Sequence, residues 1–288
     1  MSFNTSADNA SNSKRGGGHT SNNLERYETF ECSGPTLAFV TTSSGDVTIG
    51  ASESSAIEVT LSIKDVSHRD VFDDATIEFD KKKNSLVVRS RSHENVNSLR
   101  GFKAVIKRGS WFEFGSSDPD VHIALPEGSS VEVTTASGNT NLIGNLDRAS
   151  VTSASGGVRV ADEVGSLEMK TASGDVSTAS VVRSLICHSA SGDVRCGGAG
   201  ATTKIRTASG SVKLVVDNPS DISVRTVSGS VSVSVARGLE VDVDATTISG
   251  RLSSTMPLDS SKGGPSNGDV VSISAKTVSG SVSISSAN

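Results

Sequence analysis

Between Val131 and Val282 apolar and polar residues alternate in short runs, broken at intervals by one phrase, Thr/Ser-Ala/Val/Ile-Ser-Gly. The phrase ends at Gly138, Gly156, Gly174, Gly192, Gly210, Gly229, Gly250 and Gly280. The first five glycines are 18 residues apart, and the later gaps are 19, 21 and 30. An earlier copy, Thr42-Ser43-Ser44-Gly45-Asp46-Val47, stands by itself. Aligned on the glycine, Val131, Ala149, Leu167, Leu185, Thr203, Ile222, Val243 and Ile273 share the position seven before it. Val133, Val151, Met169, Cys187, Ile205, Val224, Ala245 and Ala275 stand five before it. Two after it come Thr140, Val158, Val176, Val194, Val212, Val231, Leu252 and Val282.

Alternation of period two on both sides of the glycine predicts two short strands per repeat. A fixed period near 20 residues without a helical pattern predicts stacked coils. The expected fold is all-β: a parallel β-solenoid with about 18 residues and two main strands per coil, rungs roughly 4.8 Å apart. A buried Val contributes roughly 1.5–3 kcal/mol, and one coil buries few, so each coil needs its neighbours. The Ser-Gly pair is expected to be a turn, with glycine supplying positive φ and serine bonding to nearby backbone. Glycine turns are thus expected at Gly45 and at the eight positions above.

Before the repeats, Tyr27–Cys32, 37–41, 47–49 and 56–63 are expected strands, and 75–79 with 86–91 a hairpin turning at Asn84. Residues 1–24 are expected to be a disordered tail, 25–130 an N-terminal β region capping the solenoid, and 131–288 the repeats. The 30-residue gap reads as a mobile insertion, 257–269, rich in Ser, Gly and Pro. Val282–Ser285 is expected to be the terminal edge strand, open to end-to-end pairing with another copy.

These repeats resemble a bacterial family of domains of unknown function known as putative adhesins. The resemblance rests on Thr171-Ala172-Ser173-Gly174-Asp175-Val176, on Ser189 through Val194, and on Leu125-Pro126-Glu127-Gly128 before the repeats. It spans roughly residues 30 to 288. It implies a β-solenoid-like fold and an adhesin-like role, with some relatives associated with cell-envelope stress. It implies no catalytic residues.

Charge and composition narrow the function. The chain has 288 residues and a net charge of −5, which disfavours bulk nucleic-acid binding. Aromatics make up 3% and all lie at or before Phe114, so the later coils must pack on small aliphatics. Cys32, Cys187 and Cys196 form no disulfide framework. Cys187 and Cys196 are expected to be buried thiols that would pair only if their strands face each other; no cofactor or metal is expected. Met1 to Asn23 has no apolar core, and no stretch reaches transmembrane length. A cytoplasmic location without membrane insertion is therefore expected, with an atypical route to the cell surface as the alternative.

Three clusters are candidate sites. Lys170, His188, Arg206 and Arg225 stand four before consecutive glycines and should form an outward cationic ladder, read first as an ordinary solvated face, with a ligand-binding stripe for an anionic glycan or phosphate as the alternative. Trp111, Phe112 and Phe114, near Arg100, Lys103, Lys107 and Arg108, are expected to cap the first coil, with ligand binding as the rival. Asp175 and Asp193 would stack on adjacent coils, either as turn residues or as an acid/base pair. The expected function is a non-enzymatic module binding a glycan or protein partner. The alternatives are a cytoplasmic, self-associating scaffold and a polysaccharide-active enzyme using Asp175 and Asp193.

Overall fold

The computed structural model describes residues 23–64, 69–90, 118–255 and 270–287. Two parallel ladders run its length. In the first, Ser130–Thr135 pairs with Leu146–Ser153, and each later coil adds one strand in register: 166–173, 184–191, then Thr202–Ser209 and Asp221–Ser228. In the second, Thr140–Ile143 is followed by 158–160, 176–178, Val194–Cys196, Val212–Val216 and Val231–Val235. Each coil is one strand of each ladder, joined by the Ser-Gly corner. The expected all-β solenoid with two strands per coil is what the chain forms.

The inward columns are those of the repeat. Val131, Leu167, Leu185 and Ile222 are buried on one ladder, and Val158, Val176, Val212 and Val231 on the other. Thr203, which breaks the first column chemically, is also fully buried, and its hydroxyl donates to the Gly200 carbonyl at 3.4 Å. A buried polar group with a partner avoids most of the desolvation cost.

The early Ser-Gly phrase is not isolated in space. Leu37–Thr42 and Val47–Ser52 form a full coil that pairs in parallel with 130–135 and 140–143. Its other side is covered by Ser85–Arg89 and by Asp120–Pro126. Antiparallel strands then end the stack. Thr76–Asp80 hairpins onto Ser85–Arg89, with Asn84 at φ 48° as the turn residue. Ala56–Ile63 lies on 120–126, and Leu24–Glu31 on 56–63. That last strand takes in Leu24, which the sequence assigns to the tail.

Phe30 and Phe79 meet across this end, ring centroids 5.4 Å apart, and a short helix, Arg69–Asp73, buries Val71 and Phe72 there. The helix was not anticipated. Trp111, Phe112 and Phe114, and the basic residues beside them, lie outside the described residues, as do most of the expected tail and the 257–269 insertion.

The other end departs from chain order. Val270–Ser279 pairs with Asp221–Ser228 on one side and with Glu240–Ser249 on the other. Val282–Ser286 likewise lies between Val231–Val235 and Leu252–Ser254. The last coil of the chain is therefore second to last in the stack. Val282–Ser285 is not the edge; the edge is coil 240–254, whose inward Val241, Val243 and Ala245 are only partly buried. Inward polarity explains the order. Coil 270–286 offers Ile284 where coil 240–254 offers Ser254, so the more aliphatic coil takes the place with neighbours on both sides.

Candidate functional site: a cationic ladder beside the Ser-Gly corner

The glycine column places everything else. A Cβ on Gly138, Gly156, Gly210 or Gly229 would fall 1.9–2.2 Å from the carbonyl oxygen of the stacked glycine before it. Gly174 and Gly192 are nearly as tight, at 2.3 and 2.5 Å. Gly250 rests on Gly280, and Gly280 on Gly229, again in stacking rather than chain order. Positive φ accompanies this only at Gly192, Gly210, Gly229 and Gly280. The main reason for glycine is thus close approach between coils, not the turn conformation that the sequence suggests.

At the Gly138 and Gly156 corners the first residue of the phrase, more than its serine, holds the turn. Thr135 and Ser153 hydroxyls accept from the amides of Gly138 (3.0 Å) and Gly156 (2.9 Å). Ser137 and Ser155 instead donate to carbonyls of the preceding coil, at 3.3 and 3.2 Å.

One residue after the glycine, carboxylates and amides form a staircase. Asp46 Oδ1 accepts the Asn139 amide at 2.8 Å, and Asn139 Oδ1 accepts that of Gly157 at 3.1 Å. Asp175 Oδ1 accepts the Asp193 amide at 2.8 Å, and Asp193 Oδ1 accepts that of Ser211 at 2.9 Å. Arg195 also pairs with Asp193 at 2.7 Å. Asp175 and Asp193 are committed to backbone donors on the next coil, which is a stacking role.

A buried carboxylate, Asp118, went unnoticed in the sequence. Its Oδ2 accepts from the Ser43 amide at 2.5 Å, the Ser90 hydroxyl at 2.7 Å, and Thr42 and the Ser44 amide at 3.3 Å. In the next coil the amides equivalent to those of Ser43 and Ser44, Ala136 and Ser137, donate to a carbonyl, that of Ser43, at 3.2 and 2.8 Å. Asp118 therefore supplies to the first Ser-Gly corner the acceptor that a preceding coil supplies elsewhere. The signal available was an acid just before Pro119 where the strands resume, which is weak.

The cationic ladder is real and longer than expected. Lys170, His188, Arg206 and Arg225 are register partners in succession. The out-of-order coil adds Lys276 directly beside Arg225. Five cationic or protonatable side chains thus stand on consecutive rungs, about 4.8 Å apart. Lys170 pairs with Glu168 at 2.6 Å and Lys276 with Asp244 at 3.2 Å. Among the described residues His188, Arg206 and Arg225 form no ion pair, so the uncompensated charge lies mid-ladder. Alongside, Ala190, Ala208 and Val227 face outward, Val227 at 55% exposure. Lys170, His188 and Arg206 with these three line an open groove of about 560 Å³.

Cys187 and Cys196 are free thiols on opposite ladders. Burial, with a smaller effect from neighbouring Cys196, pushes the Cys187 thiol up to about 12. Burial likewise raises Cys196, whose thiol donates to the Gly198 carbonyl at 3.1 Å. Neither is a nucleophile at neutral pH. Among the described residues no three His, Cys, Asp or Glu side chains are grouped to hold a metal, and no helix is long and apolar enough to cross a membrane.

The family model described as Toastrack DUF4097 matches residues 38–285. The chain belongs to that family. The match takes in the early coil 37–52 as well as the repeats, in agreement with their continuous stacking. Similar solved structures include a protein of Bacteroides fragilis described as a putative adhesin, 11% identical, covering 92% of this chain and 97% of its own, with a TM-score of 0.49. A protein of Parabacteroides distasonis titled as lipid binding is 17% identical over 92% of this chain and 97% of its own, with a TM-score of 0.46. An adhesin-titled protein of Parabacteroides merdae is 12% identical over 92% and 96%, with a TM-score of 0.33. No curated protein matches.

Proposed function

We propose that this Toastrack chain is a non-enzymatic binding module that holds an extended, polyanionic glycan along its cationic ladder. The observation that carries this reading is the run His188, Arg206 and Arg225, without an ion pair among the described residues and regularly spaced on consecutive rungs, with His188 and Arg206 lining the open groove. Anionic groups repeated along a polymer meet such a row one per rung or one per two rungs. Sugar ring faces rest on Ala190, Ala208 and Val227, where apolar surface is already exposed. Backbone bonds from Asp175 and Asp193 support the non-enzymatic part, because neither carboxylate is poised toward the groove as an acid or base.

The test is a binding array of acidic and neutral glycans with the full chain and a variant carrying Ser at Lys170, His188, Arg206, Arg225 and Lys276. Acidic polymers should bind the native chain, weaken steeply with salt, and lose at least about tenfold affinity in the variant, which is about 1.4 kcal/mol. Binding unchanged in the variant, or no binding by either form, overturns the reading.

A further inference from the structure

Coil 270–286 ends the described chain yet sits inside the stack, and the place it occupies is complete without it on both sides. Coil 240–254 follows 221–235 in sequence but stands one rung away from it. The intervening rung is filled by Val271, Ile273, Ala275, Val282 and Ile284, each no more than 3% exposed.

Closing that rung by packing 240–254 directly on 221–235 is disfavoured. Ser272 now separates Asp221 from Asp242; direct packing in the same register would set the two carboxylates opposite each other, and like charges across a strand pair destabilise it. It would also set Ser254 against Val233, where Ile284 now stands. The rung is thus a seat matched to one segment of this chain.

Among the described residues the strand pairings in the seat join 270–286 to residues about 30 or more positions away, so the same segment from another copy makes the same pairings. We propose that the seat accepts residues 270–286 of a second copy, giving a dimer closed by reciprocal exchange of the last coil. Reciprocity satisfies both seats and leaves no open end from the exchange. The dimer forms during folding, since in the closed monomer the seat is full.

Ser228 and Ser279 are exposed register partners on adjacent parallel strands, close enough for a disulfide. The test uses two full-length variants, Ser228→Cys and Ser279→Cys, each also carrying Cys32→Ser. They are denatured together, refolded at high and low concentration, and oxidised. Neither variant carries both introduced thiols, so a mixed disulfide reports one copy's last coil against another's 221–235 strand. The mixed dimer is expected in several-fold excess over either same-variant dimer, and to fall as refolding is diluted. Monomers alone, or a mixed dimer no more than about twice as abundant as each same-variant dimer, which is the ratio that random pairing of equal amounts gives, overturn the proposal. A chain carrying both substitutions should form the internal bond when refolded dilute; its failure to do so would remove the seat and the proposal with it.

Discussion

Gly174 and Gly157 separate two demands that a repeat glycine can meet. Neither has positive φ, but a Cβ on Gly174 would lie 2.3 Å from the Gly156 carbonyl oxygen, whereas one on Gly157 would meet nothing nearer than 3.4 Å. Gly174→Ala is therefore expected to destabilise by roughly 1–3 kcal/mol, as overpacking against backbone does. Gly157→Ala should stay within about 0.5 kcal/mol. Denaturant midpoints of the two variants check this; equal effects would mean that inter-coil approach is not what selects glycine. The recurrence of glycine was legible in the sequence, but its cause was not. The clash is with a residue 18 positions away, and a turn is the only local explanation a sequence offers. Asp175 and Asp193 show the same blind spot: their partners are the next coil's amides, which no local pattern reveals.

Strands were legible because period two is a local property, and Ala56–Ile63, the hairpin at Asn84 and the paired strands of each repeat all follow from it. Which strand lies beside which was not legible at the end of the stack. The 30-residue gap reads as a loop inserted into a sequential pile. The stacking order instead follows the inward residues, where Ser254 loses to Ile284. Ile273 and Val243 test this as neighbours in one column. Ile273→Ala should cost about 2–5 kcal/mol, as for a buried interior aliphatic. Val243→Ala, at a half-open edge, should cost less than about half as much. Thermal or urea unfolding of both decides it, and a larger loss at Val243 would contradict the placement of 240–254 at the edge. The cationic ladder lies at the same boundary of legibility. Lys170 through Arg225 came from spacing alone, whereas Lys276 joins them only through the exchanged stacking order.

At the scale of the whole molecule, stability should be graded along the stack. Interior coils are paired on both sides, the N-terminal end is covered by antiparallel strands and by Phe30, Phe72 and Phe79, and coil 240–254 has one paired side among the described residues. Amides of 241–247 are expected to exchange at least about tenfold faster than those of 167–171 by hydrogen exchange read by mass spectrometry, because local opening follows local packing. Uniform exchange along the chain would show that the stack opens only as a unit.

The glycine contact carries one more consequence. Between Gly138 and Gly210 each coil meets the next through the same backbone approach and the same inward positions, at a constant 18-residue step. Duplicating or deleting one such unit would leave the contacts at the new junction of the same kind as the old. At both ends, coils that are adjacent in space are not adjacent in the gene, so a tandem duplication there would thread the chain wrongly. Natural length variants of this protein should therefore gain or lose whole 18-residue units in the middle, and keep their first and last coils unaltered.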